Sequence, residues 1–174
     1  MPIKKIYAIS GSAGVPSSNR KLLESLAHHY KKYCEWHLDD CLTKLPLYQP
    51  SLEERPLSEH VVNWRKGCNH ADAIIICTPE YLHNIPAVLK NGMEWLKSSG
   101  EWMNKRVLPI TFTPHHPRGE HAMPSLRNSL IALKANPVVE LNLYKSDFQE
   151  ENGLYAFNED QCMVFDTALE LLGV

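Results

Sequence analysis

Ile6-Tyr7-Ala8-Ile9-Ser10-Gly11-Ser12-Ala13-Gly14-Val15-Pro16-Ser17-Ser18-Asn19 is the stretch that decides the fold. Its first four residues read as a buried parallel strand. From Arg20 to Tyr33, residues Leu22, Leu23, Leu26, Tyr30 and Tyr33 recur at helical spacing. The loop Ser10 to Asn19 thus runs from a strand into a helix N-terminus, where unpaired N–H groups and the positive end of the helix dipole gather. Small, hydroxyl-bearing residues let the backbone close around an anion such as phosphate. Ser17, Ser18 and Asn19 are equally favoured as helix caps whether or not a ligand binds, so the loop alone fits both roles.

Length and composition bound the rest. A chain of 174 residues suits a single domain spanning 1–174. With 44% hydrophobic and 22% charged residues it belongs among soluble globular proteins. A net charge of -2, with only Lys4-Lys5 and Lys31-Lys32 as basic runs, gives no stripe for nucleic acid. The five cysteines, Cys34, Cys41, Cys68, Cys77 and Cys162, are odd in number and lack C-x-x-C spacing, which predicts reduced thiols. The apolar run before Ser10 is too short for a signal-peptide core or a membrane span, so a cytoplasmic address is expected.

Further along, strand and helix alternate. Glu35 to Leu38 reads as a short strand, Asp39 to Pro56 as a long proline-bearing loop, and Leu57 to His70 as a helix capped by Ser58. Ala73-Ile74-Ile75-Ile76-Cys77 is a buried strand ended by Thr78-Pro79, and Ile85 to Leu96 is a helix with Pro86 in its first turn. Val107 to Phe112, Ser125 to Leu133, Pro137 to Leu143 and Glu159 or Asp160 to Leu172 continue the pattern as strand, helix, strand and helix. This alternation predicts a three-layer α/β/α sandwich with a five-stranded parallel sheet in the flavodoxin-like order 2-1-3-4-5. In such a sheet ligands bind beyond the carboxyl ends of the strands at the switch point. The loops Ser10 to Asn19, Thr78 to Ile85 and Thr113 to His121 are therefore expected to meet there.

Those loops carry a family resemblance. Gly11-Ser12 followed by Ser17 and Asn19, then Thr78-Pro79-Glu80-Tyr81, then Ile85-Pro86-Ala87-Val88-Leu89-Lys90-Asn91 with Trp95, resemble the NADPH-dependent FMN reductases, the flavodoxin-like quinone, azo and chromate reductases. The likeness spans nearly the whole chain, and the Pro-Glu-Tyr turn with its following helix is the specific part. It implies FMN as cofactor, with Ser10, Ser12, Ser17 and Asn19 around the phosphate and Pro79, Glu80 and Tyr81 along the isoalloxazine ring. Thr113 to Gly119 would then face the pyrimidine edge. It also implies NADPH or NADH as co-substrate and a homodimer or dimer of dimers, with the helix of Trp95 packed across the interface. Trp102 either covers that contact or caps the core.

The chain departs from the family at Gly14, where many relatives have arginine, and at Leu82, where asparagine is usual. It departs again at Pro114-His115-His116-Pro117-Arg118-Gly119, where several glycines are common and two prolines remove N–H donors. Arg118, with His115 and His116 behind it, is the candidate to stabilise charge on reduced flavin. His115, His116 and His121 lack the ligand spacing of a metal site, and none is expected. Cys77, at a strand end near the site, reads as a small buried hydrophobe rather than a nucleophile. The resemblance implies an FMN-dependent NAD(P)H oxidoreductase acting on quinones or similar small acceptors by ping-pong exchange. The departures leave open a non-catalytic flavodoxin-fold binding or regulatory protein with weakened flavin affinity. An electron-carrier flavodoxin would be strongly acidic, which this chain is not.

Overall fold

The computed structural model describes residues 3–174. Its sheet contains β1 (Lys4–Ser10), β2 (Cys34–Leu38), β3 (Ala73–Thr78), β4 (Arg106–Thr113), β5 (Asn136–Pro137) and β6 (Leu141–Tyr144). Packed around it are α1 (Ser18–His29), α2 (Glu59–His70), α3 (Ala87–Glu94), α4 (Ala122–Ala132) and α5 (Glu159–Leu172). The strand order is β2-β1-β3-β4-β5, with every pair in this sheet parallel. This is the expected order 2-1-3-4-5, because β6 continues β5 along the same side of β4.

That fifth strand is not the unbroken Pro137 to Leu143 of the sequence reading. Pro137 lies opposite Val107 and Leu141 opposite Ile110, so three residues on the outer side face two on β4. The extra residue is a bulge, a device concentrated at sheet edges, and it divides the strand into β5 and β6. Beyond the expected elements, the chain forms a hairpin of β7 (Gln149–Glu151) and β8 (Leu154–Ala156), joined at Asn152-Gly153 with both residues at positive φ. Asn-Gly is the strongest short-range hairpin signal, and it stood in the sequence.

Alternation along the strands builds two cores. Tyr7, Ile9, Ile74 and Ile76 face α2, α3 and α4, where Trp64, Leu89, Met93, Leu126 and Leu130 complete the layer. Ile6, Ala8, Ile75, Cys77, Leu108, Ile110 and Phe112 face α1 and α5, meeting Leu22, Leu23, Leu26, Phe165 and Leu169. Burying each large aliphatic side chain contributes roughly 1.5–3 kcal/mol, so β3, buried along its whole length, anchors both layers. Side-chain caps fix three helix starts: Ser17 accepts from Arg20, Ser58 from Val61, and Asn158 forms a capping box with Gln161.

Trp95 and Trp102 belong to this interior. They are 1% and 0% exposed in the single chain, so both indoles pack in its core, and of the two roles open to Trp102 the core is the one observed. The Trp95 indole N–H donates to the Pro46 carbonyl at 2.8 Å, and Asn91 binds the same segment twice, accepting from the Tyr48 amide and donating to the Pro46 carbonyl. The two residues of α3 and its cap thereby hold the 46–48 segment against the body of the protein.

Candidate functional site

The first loop leaves β1 at Ser10 and enters α1 after Ser17. Gly11 donates its amide to the Cys77 carbonyl at 2.8 Å, which pins the loop to the end of β3. A β-carbon at Gly11 would stand 2.6 Å from Thr78 Oγ1 and 2.9 Å from Leu89 Cδ2, so only glycine allows this approach. Ser12 Oγ accepts from the Gly14 amide at 3.2 Å, and Ser17 Oγ accepts from the Arg20 amide at 3.2 Å. Ser17 is therefore a helix cap, and the amides of Ser18 and Asn19 at the start of α1 have no partner within the helix. Asn19 is buried, and its carbonyl oxygen accepts from the Cys77 thiol at 3.2 Å, leaving its amide donors unused by that contact. Burial holds the Cys77 thiol well above its ordinary pKa, which makes it a poor nucleophile.

Ser10 is the informative member. Its hydroxyl is buried at the carboxyl end of β1 and has no hydrogen-bond partner. An unmade hydrogen bond of this kind costs about 1–3 kcal/mol, and a ligand acceptor or donor in the loop would satisfy it.

The second loop begins with buried Thr78 and Pro79 and ends in a tight turn. Tyr81 and Asn84 exchange both backbone hydrogen bonds, while Leu82 and His83 sit at φ of 50° and 59°. This is a two-residue turn with both central residues left-handed, a geometry that favours Asn-Gly and strains leucine and histidine. Leu82 is 99% and Tyr81 52% exposed, which puts apolar side chains on the rim. Glu80 reaches across to the third loop, where its carboxylate accepts from the amides of His121 and Ala122, each at 2.9 Å. Burial works against the Glu80 charge, but the amides of Ala122, His121 and Gly119 outweigh it and hold the carboxyl below its ordinary pKa.

In the third loop Thr113 is buried, and its hydroxyl donates to the Arg118 carbonyl at 2.9 Å. Gly119 takes a φ of 102°, and a β-carbon there would stand 2.9 Å from Thr111 Oγ1. The Arg118 amide donates to the His115 carbonyl, closing a turn within the loop, and that of Gly119 faces Glu80. Arg118, His115 and His116 are exposed. The histidines engage separate partners: His115 Nδ1 the His116 carbonyl, His116 the Tyr144 ring, and His121 the His83 ring.

The three loops thus lie together at the carboxyl ends of β1, β3 and β4, as expected. A hollow of about 460 Å³ opens beside the first loop, lined by Ser10, Ser12, Ser17 and Arg20 and by the turn after β2. Its cations are already engaged, Arg20 by Glu24 and the Asp39 carbonyl, and Lys21 by Glu150. A larger groove of about 560 Å³ runs along β1 and β2 against α2, lined by Tyr7, His37, Asn63 and Gly67, and does not lie between the three loops. At its end the Asp39 carboxylate accepts from Tyr7 Oη at 2.5 Å and from the amides of Cys41 and Leu42. Asp39, Asp40 and Cys41 lie close enough to share an ion, but those bonds already use the Asp39 carboxylate to shape the turn.

A five-stranded parallel sheet in the order 2-1-3-4-5, with three loops gathered at the carboxyl ends of β1, β3 and β4, places the chain in the flavodoxin-like class. Residues 4–149 match the family described as NADPH-dependent FMN reductase, and the chain belongs to that family. It is 30% identical over 144 residues to subunit CrdA of the NADH:(hydroxy)cinnamate reductase of Vibrio ruber, covering 80% of this chain and 70% of that one. It is 32% identical over 135 residues to an NADPH azoreductase of a Bacillus species, covering 77% and 72%. Among solved structures, the NAD(P)H:acceptor oxidoreductase FerB of Paracoccus denitrificans superposes with a TM-score of 0.82 at 21% identity, covering 98% of this chain and 96% of that one. The protein is accordingly an FMN-dependent NAD(P)H oxidoreductase by family. Among the described residues no helix is long and apolar enough to cross a membrane.

Proposed function

We propose that this single-domain chain binds FMN at the rim of the three loops and uses NADPH or NADH to reduce quinones or similar small acceptors. The observation that carries this reading is the Ser10 hydroxyl, buried and unpartnered at the carboxyl end of β1, where the loop to the N-terminus of α1 begins. Ser10, Ser12, Ser17 and Asn19 would hold the phosphate with the amides of Ser18 and Asn19. The side-chain cations nearest the loop are already paired, so amides and hydroxyls replace the arginine absent at Gly14. Pro79 and Tyr81 would flank the ring, while Thr113 and Gly119 shape its far edge. Exposed Arg118, with His115 and His116, would offset negative charge. When bound, FMN takes a hydride from the nicotinamide and passes electrons to the acceptor, so the protein needs no nucleophile of its own.

A homodimer, or a dimer of dimers, belongs to the same reading. Leu47, 72% exposed on the segment that Asn91 and Trp95 hold, and Leu82 on the turn before α3 offer apolar surface around that helix. A cytoplasmic setting is also part of the proposal, supported by five unpaired thiols.

Apoprotein of the wild type and of Ser10→Ala, titrated with FMN and then treated anaerobically with NADPH, tests the site. The wild type is expected to quench flavin fluorescence on binding and to bleach on addition of NADPH. Ser10→Ala should bind FMN roughly tenfold more weakly, while its apoprotein gains about 1 kcal/mol of stability from losing an unsatisfied buried hydroxyl. Wild-type protein that neither takes up FMN nor bleaches would refute the reading.

A further inference from the structure

We propose that Glu80 is a positioning residue, clamping the second loop to the third and so fixing the rim against which a flavin would pack. The role rests on the FMN reading above. The side chain is largely buried, and one carboxylate oxygen accepts from the N-cap amide of α4, at His121, and from its first amide, at Ala122. Two N–H groups and the positive end of an 11-residue helix therefore offset the desolvation of this charge. An oxygen bound in that way faces α4, so Glu80 acts through the loops it joins rather than by touching the cofactor.

Other contacts share the load. Asn84 Oδ1 accepts from Ser125 Oγ at 2.6 Å and from the Ile85 amide at 2.8 Å, and the His83 ring stands edge-on to His121 at 4.5 Å. These ties hold a turn whose central residues, Leu82 and His83, are unfavourable in the left-handed region. Released from α4, the turn has a lower-energy backbone to relax into, and the rim that carries Tyr81 and Pro79 moves with it. The clamp converts a strained turn into a fixed wall.

Amide hydrogen exchange on apoprotein, FMN titration and the visible circular dichroism of the bound flavin test this in Glu80→Ala and Glu80→Gln. In the alanine variant the His121 and Ala122 amides are expected to exchange about tenfold faster or more. FMN binding should weaken by about tenfold, with a diminished dichroic band, each charge-assisted bond carrying an effect of that order. The glutamine carbonyl can accept from the same two amides, so this variant should restore affinity to within about threefold of the wild type. An alanine variant that binds FMN as tightly as the wild type, with the same dichroism, overturns the role. So does a folded glutamine variant no better than alanine. Wild-type protein that takes up no FMN overturns the functional reading and this role together, whereas tight binding by both wild type and alanine variant overturns the role alone.

Discussion

Trp95→Ala is expected to lower the unfolding free energy by about 3–5 kcal/mol, the usual cost of truncating a buried large aromatic. The indole is 1% exposed, its N–H donates to Pro46, and the Tyr48 ring meets it edge-on at 5.2 Å. Truncation leaves a cavity, removes the hydrogen bond and loosens the 46–48 segment, although Asn91 still holds Pro46. Trp95→Phe keeps most of the packing and should cost far less. Urea unfolding at several protein concentrations separates a core residue from an interface residue. A core role predicts a loss that does not vary with concentration, while a residue at a subunit contact would shift the dimer equilibrium and leave the unfolding of the single chain nearly unchanged.

Gly11→Val should weaken FMN binding about a hundredfold, the largest effect expected of any substitution at the rim. Its β-carbon has Thr78 Oγ1 at 2.6 Å and Leu89 Cδ2 and Thr78 Cβ at 2.9 Å, and the Gly11 amide is bonded to Cys77, so neither strand can retreat without breaking the sheet end. The loop after Gly11 must move instead, carrying Ser12 and Ser17 off their positions. Two lost charge-assisted bonds to a phosphate amount to about 3 kcal/mol or more, which gives the predicted factor. Overpacking itself costs about 1–3 kcal/mol in stability. Isothermal titration at a temperature where the variant is fully folded reads the affinity loss separately, and an unchanged Kd would remove Gly11 from the cradle.

Most of the fold was legible because hydrophobic period and helix punctuation agree in this chain. Ile74-Ile75-Ile76 has no polar face, so a strand covered on both sides was the natural reading, and the buried β3 bears it out. Ser17 and Ser58 marked helix starts for a local reason that needs no tertiary context. The sequence pattern puts the start of α4 at Ser125, three residues after the observed start and just past Pro124. In a first helical turn the missing proline N–H has no bond to lose, so α4 begins at Ala122. That shift hid the amides of His121 and Ala122, and with them the destination of Glu80, which sequence spacing alone does not connect to a segment 41 residues away. The destination of the Trp95 indole is hidden for a similar reason. Helical position showed which face it shares, but whether that face meets Pro46 or a second chain depends on the path of the Asp39 to Pro56 loop, and its polar composition does not specify that path.

The claim on which the account stands is that three segments distant in the chain close on one flavin nucleotide. Hydrogen exchange measured with and without saturating FMN tests it most directly. The predicted result is simultaneous protection in Ser10 to Asn19, Thr78 to Ile85 and Thr113 to His121, with the groove between β1, β2 and α2 unchanged. Protection in that groove alone, or in one of the three loops without the others, would contradict it.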